Sequence, residues 1–190
     1  MCASKTHFLH FCNVNSLRKR RSDIRTFLSS KPQASVLALC ETKTTEPSPF
    51  SIKVPGYIPI NCPFTRQSSG IVLYVLRSLT FSVLPNFPRS CPDGSMLVCV
   101  EICLSPVLVV RLAVVYVHPN APTSVIAKFM SALAALKHPA KPLLVLGDFN
   151  ARMESVGDSV TSAKGSMLES KCDEHGFTVL RCLHPRAIHS

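Results

Sequence analysis

The chain has 190 residues, enough for one domain of ordinary size with a substantial core, and it is 46% apolar but only 17% charged. Its 21 Lys+Arg against 11 Asp+Glu give a net charge of +10, so the partners it favours are polyanions, nucleic acid first and an anionic membrane surface second. No apolar stretch is long enough to cross a membrane, no signal-length segment opens the chain, and nine scattered cysteines without a Cys-x-x-Cys pair argue against a zinc site and for buried thiols in a reducing, intracellular compartment.

In chain order, His7–Asn13 reads as a first strand and ends in Asn13-Val-Asn-Ser16, two amides spaced by two. Arg20–Ser30 reads as a helix with Ile24, Phe27 and Leu28 on one face, closed by Pro32. The basic run Arg18–Arg21 marks either the start of that helix or a nuclear import signal. Val36–Cys40 is a wholly apolar strand that ends at Glu41-Thr-Lys43. After a proline-bearing loop, strands are expected at Tyr57–Cys62 and Gly70–Arg77, joined through Arg66 and Ser68-Ser69. Further strands are expected at Thr80–Leu84, Met96–Leu104 and Val107–Val117, the last two an antiparallel pair around Ser105-Pro106. A proline-bearing connection covers Asn86–Gly94.

Val125, Ile126, Phe129, Met130, Leu133 and Leu136 recur at helical spacing before Pro139. Leu143–Leu146 then has the apolar content of a strand buried on both faces, with Gly147 as its bend. In extended backbone Asp148 and Asn150 would point to one spot while Phe149 turns to the core. Such a pair at a strand end builds a site, although Asp and Asn are also common in turns. Ala151–Lys164 reads as polar loop. Ser166–Glu169 reads as a capping box for a helix to His175, with Gly176 as its stop and a new strand from Phe177. Three strands thus deliver polar groups just past their C-terminal ends. There is no internal repeat, and one domain is expected.

Asn13-Val-Asn-Ser-Leu-Arg18, Leu39-Cys-Glu-Thr-Lys43, Ser69-Gly-Ile71, Val115-Tyr116 and Gly147-Asp-Phe-Asn-Ala-Arg152 together resemble, in order and spacing, the endonuclease/exonuclease/phosphatase superfamily. The nearest branch is the apurinic/apyrimidinic-like endonuclease domain of non-LTR (LINE-type) retrotransposons. The resemblance implies a four-layered α/β sandwich of two mixed sheets flanked by helices, DNase I-like, and Mg²⁺-dependent (or Mn²⁺-dependent) cleavage of a DNA phosphodiester. It implies that Glu41, with Asn15, holds the metal, and that Asp148 orients or activates the attacking water. It also implies that Asn13 and Asn150 bind the scissile phosphate while Tyr116 braces it. Arg18, Lys43, Asn120 and Arg152 would contact DNA. It further implies an origin beside a reverse transcriptase, with no membrane or obligate protein partner and the nucleus as a place of action.

The chain departs from the pattern at several points. Cys12 stands where the family often has Trp, the stretch Tyr116-Val-His-Pro-Asn120 is one residue longer than in many relatives, and Ser69-Gly70 replaces a common Gly-Gly. The closing Ser-Asp-His segment, whose His is the family's general acid/base, has no match, because His184 and His189 have other neighbours. The expectation is a copy truncated at its C-terminal end that binds metal and DNA but cleaves slowly, since positioned proton transfer contributes ~10²–10⁴ in rate. A non-catalytic nucleic-acid-binding remnant, or a superfamily hydrolase acting on inositol phosphates, sphingomyelin or poly(A), are the competing readings.

Overall fold

The computed structural model describes residues 6–30, 34–44, 53–63 and 69–180. In chain order the elements are β1 (Phe8–Asn13), α1 (Arg21–Ser30), β2 (Ala34–Cys40), β3 (Tyr57–Cys62), β4 (Ile71–Leu76), β5 (Thr80–Val83) and β6 (Arg89–Ser90). They continue with β7 (Met96–Ser105), β8 (Leu108–Tyr116), α2 (Thr123–Ala134), β9 (Leu143–Asp148), a 3-10 turn over Glu154–Val156 and α3 (Ala163–His175). One sheet has the order β1-β2-β4-β3; the other runs β5-β7-β8-β9, with the short β6 also on β7. Both sheets are mixed: β1 with β2 and β8 with β9 are parallel, and the other pairs are antiparallel.

The period of two in a strand sorts its side chains into layers. In β2, Val36, Ala38 and Cys40 meet Val98, Val100, Leu112 and Val114 of the other sheet, making the central core. Its alternate residues Leu37 and Leu39 pack with Ile24 and Leu28 of α1. On the far side Ala113, Val115 and Val117 lie under Ile126, Phe129 and Leu133 of α2 and Leu168 and Cys172 of α3. The result is helix, sheet, sheet, helix, as expected. A strand inside such a sandwich is covered on both faces, and β2 is therefore buried along its whole length.

Several local expectations are corrected. β9 is not buried on both faces: among the described residues its one strand neighbour is β8, and Leu144 is 40% exposed. Gly147 is no bend; it lies within β9, where a Cβ would come 2.5 Å from the Val115 carbonyl oxygen. Glycine there allows close approach to β8. α3 begins one turn earlier than the capping box suggested, with Ser162 Oγ accepting from Gly165 N–H, while Glu169 takes a hydrogen bond from Ser155. Gly165 at the third helical position hid that start, yet it is required, because a Cβ would meet the Arg152 carbonyl oxygen at 1.9 Å.

Gly176 ends α3 with φ of 62°, as expected. Phe177–Leu180 is not strand; Lys137 Nζ lies 4.4 Å from the Phe177 ring centre and donates to the His175 and Gly176 carbonyls. Arg66, Ser68, Pro32, His184 and His189 fall outside the described residues. Among the described residues, no helix is long and apolar enough to cross a membrane.

Candidate active site

β1 and β2 end side by side, with Asn13 paired to Cys40, and the two chains continue together past the sheet. Val14 N–H donates to Cys40 O, Ser16 N–H to Glu41 O at 2.8 Å and Leu17 N–H to Thr42 O. On its other side this loop is stitched to the start of β4: Thr42 N–H donates to Gly70 O and Lys43 N–H to Ser69 O. Gly70 (φ +109°) permits the approach, since a Cβ there would lie 2.4 Å from Thr42 Oγ1. Glu41 is thereby held by backbone on both flanks. In the second sheet β8 and β9 also end together, Tyr116 against Asp148, and Val117 N–H donates to Asp148 O.

Packing the two sheets face to face brings these strand ends together. Asn13 Nδ2 donates to Glu41 Oε1 at 2.7 Å and to Asp148 Oδ2 at 3.0 Å, one amide bridging two carboxylates and two sheets. Asn13 Oδ1 accepts from Asn15 N–H, which fixes the carboxamide. Tyr116, 1% exposed, stands beneath with its hydroxyl on the Glu41 carboxylate. Burial, and then the Glu41 charge, push its phenol well above the ordinary range, so it stays protonated. Burial also raises the Cys40 thiol, which lies under the same carboxylates.

The loops that carry these groups are strained. Asn15, Ser16, Glu41, Lys43 and Asn150 all have positive φ, from 46° to 116°, and all follow β1, β2 or β9. A non-glycine residue in that region costs on the order of 1–3 kcal/mol and persists where the surroundings over-determine it, which happens at functional sites.

Asn150 corrects the expectation of a shared direction with Asp148. Its φ of 47° breaks the extended geometry on which that expectation rested. Its N–H donates to Asp148 Oδ1 at 3.0 Å, closing an Asx turn, and its Nδ2 donates to Val117 O at 2.8 Å. Asn150 thus locks the Asp148 turn and keeps one amide proton for other use. Phe149 packs into the α2/α3 core as expected. The Asn15 side chain is turned to Lys43, whose Nζ donates to its Oδ1 at 2.6 Å.

Arg18, Lys43, Asn120 and Arg152 are all exposed. Arg18 lies with Lys19, Arg21 and Arg25 in an open groove of about 610 Å³ beside α1, not over the Asn13–Glu41–Asp148 cluster. Asn120 N–H donates to His118 Nδ1, and Arg152 seats α3 through its carbonyl, which accepts from Ser162 N–H. The sequence suggested no site role for Ser95, His118 or Lys164. Ser95 Oγ accepts from His118 N–H and donates to Asp93, and Lys164 Nζ donates to the His118 and Pro119 carbonyls. The signal available was small: a Lys-Gly pair at the head of a helix.

Two carboxylates and a phenol at the junction of two sheets, with no ion pair to Glu41 or Asp148 among the described residues, form an anionic point on a strongly basic protein. Among the described residues no three His, Cys, Asp or Glu side chains cluster as a metal cage. Such a site suits a cation that keeps most of its waters and takes one or two carboxylates.

Residues 110–190 match the model of a family described as endonuclease-reverse transcriptase. No curated protein matches the chain. Among solved structures, the fold is similar to the endonuclease domain of TRAS1, a telomere-specific non-LTR retrotransposon (TM-score 0.69, 17% identity, 90% of this chain and 73% of that one). It is similar to the AP endonuclease LMAP from Leishmania major (0.65, 16%, 89% and 66%). It is also similar to TDP2 of D. rerio, solved with a single-strand DNA product (0.59, 10%, 89% and 64%). The chain therefore spans about two thirds to three quarters of these neighbours. Its two-sheet architecture is that of these structures, and the match over residues 110–190 agrees with the resemblance to the endonuclease/exonuclease/phosphatase superfamily.

Proposed function

We propose that this chain is the DNA-nicking domain of a non-LTR retrotransposon, a divalent-metal-dependent phosphodiester hydrolase. The observation that carries the reading is the bridge from Asn13 to both Glu41 and Asp148, contributed by three strand ends of two sheets. The net charge of +10 favours a polyanionic substrate over a small phosphoester. Glu41 and Asp148 would hold Mg²⁺ or Mn²⁺, with Asn15 near enough in sequence to assist if it leaves Lys43. When bound, the ion would polarise the phosphoryl oxygen and neutralise charge that develops on it.

This chain's own residues would do the rest. Both Asn13 amide protons are engaged by Glu41 and Asp148, so Asn13 would set the spacing of the two carboxylates, while Asn150 has one amide proton left for a phosphate oxygen. Tyr116, kept protonated by its surroundings, is a donor that does not reorganise as charge develops. Asp148, whose carboxylate is held by the Asn150 turn, would orient or activate the attacking water. Lys43, Asn120 and Arg152 would grip flanking phosphates, and Arg18, in the groove beside α1, would reach phosphates farther along the strand. DNA as substrate would place the protein in the nucleus.

The experiment is incubation of the purified chain with supercoiled plasmid and Mg²⁺. Metal-dependent nicking that is lost with EDTA and in Asp148→Ala is the expected result. Salt-sensitive DNA binding with no nicking in Mg²⁺ or Mn²⁺ would replace this reading with a binding remnant. Release of phosphate from inositol phosphates, without nicking, would move the chain to another branch.

A further inference from the structure

The segment that leaves β8 at Tyr116 is tied at successive backbone groups by partners from separate parts of the fold. Val117 N–H goes to Asp148 O, and Val117 O accepts from Asn150 Nδ2. His118 N–H goes to Ser95 Oγ at 2.9 Å, and Ser95 is fully buried with its own proton on Asp93. The His118 and Pro119 carbonyls both accept from Lys164 Nζ, at 2.9 and 2.6 Å, and Asn120 N–H turns back to His118 Nδ1. Through that bond the acceptor nitrogen of the imidazole is occupied, so the neutral ring carries its proton on Nε2.

Lys164 is the one cation in this set, and it comes from the first turn of α3. Two observations show that its place is built. The helix can sit there only because Gly165 lets the Arg152 carbonyl approach to within 1.9 Å of where a Cβ would stand. The ammonium is partly stripped of water, and the opposing pull comes from Asp93 and Asp148. A lysine with two carbonyl acceptors and two carboxylates nearby is a clamp rather than a free surface charge.

We propose that Lys164 is a positioning residue: by gripping the His118 and Pro119 carbonyls it fixes the loop that presents His118 and Asn120 beside Asp148, and so sets the affinity of the site for a DNA phosphate. This rests on the DNA reading above for the ligand, but not for the clamp itself.

The test uses Lys164→Met and, should that variant fold poorly, Lys164→Gln, which keeps a donor. Amide hydrogen exchange at His118 and Asn120 reads the clamp with no ligand present. Binding to a short duplex in Ca²⁺ reads its consequence without turnover. Loss of a charge-assisted contact predicts exchange about tenfold faster at those two amides and DNA binding about tenfold weaker, with α2 and β7 unchanged. Lys164→Arg, which retains a cation able to reach both carbonyls, should recover most of the affinity. Unchanged exchange would overturn the proposal. Faster exchange with unaltered affinity would also overturn it, since the clamp would then be structural only. A wild-type chain that binds no DNA would sink the nuclease reading by itself, and the exchange measurement would still decide whether the clamp exists.

Discussion

Replacing Asn13 by alanine tests the site at its keystone. The amide nitrogen donates to Glu41 at 2.7 Å and to Asp148 at 3.0 Å, so one substitution removes two charge-assisted hydrogen bonds. A buried bond of this kind is worth about 1.5–3 kcal/mol. Asn13 is exposed, so water replaces much of that. The two carboxylates left facing each other repel by about 1 kcal/mol in a water-like medium at such range. The net expectation is a loss of roughly 1–2 kcal/mol, or a fall in Tm of about 2–8 °C for a chain of this size.

A divalent ion between the same carboxylates would reverse the effect, because a ligand at 100 times its Kd adds about 2.7 kcal/mol to the folded state. Thermal unfolding of wild type, Asn13→Ala and Glu41→Gln, each with and without Mg²⁺, is the assay. Mg²⁺ should raise Tm in wild type, raise it at least as much in Asn13→Ala, and have little effect in Glu41→Gln. Equal Mg²⁺ responses in all three chains would show that the ion binds elsewhere, and the reasoning would fail.

Two further outcomes follow from the geometry. Gly147→Ala forces a Cβ to within 2.5 Å of the Val115 carbonyl oxygen and 2.9 Å of its Cβ, both on a buried strand with no room to yield. Urea unfolding should show a loss of about 1–3 kcal/mol, and nicking should fall with it because Asp148 is the next residue; a neutral result would mean that β9 can slide away from β8 freely. Glu101 accepts from Lys141 and Arg111, and those bonds hold its carboxyl below the usual range. A depressed folded value means that its stabilisation is complete above the unfolded value of about 4.3 and is lost as pH falls through the lower folded one. Between pH 6 and 3 wild type should therefore lose urea resistance more steeply than Glu101→Gln, and parallel curves would show that the pair contributes nothing.

Much of this protein was legible in its sequence where a local pattern has one physical solution. The continuous apolar runs in Val36–Cys40 and in Met96–Val117 require strands between two apolar layers, and the 3.6-residue spacing from Val125 to Leu133 requires a helix on one of them. The motif residues Asn13, Glu41 and Asp148 could each be named because each closes an apolar strand. Their meeting is implied only by the family resemblance and not by any local pattern, since Asn13 and Asp148 are 135 positions apart and the face-to-face packing of two sheets carries one to the other. Exposure escaped the sequence too: Leu143–Leu146 is as apolar as β2, yet among the described residues it has one strand neighbour, and the number of neighbours is not a matter of composition. The same holds for Asn150, whose left-handed backbone turns its amide to Val117, and for Lys164, whose partners are carbonyl groups that every residue possesses. Side-chain type and period belong to the chain; direction and company are decided only when distant backbone closes around it.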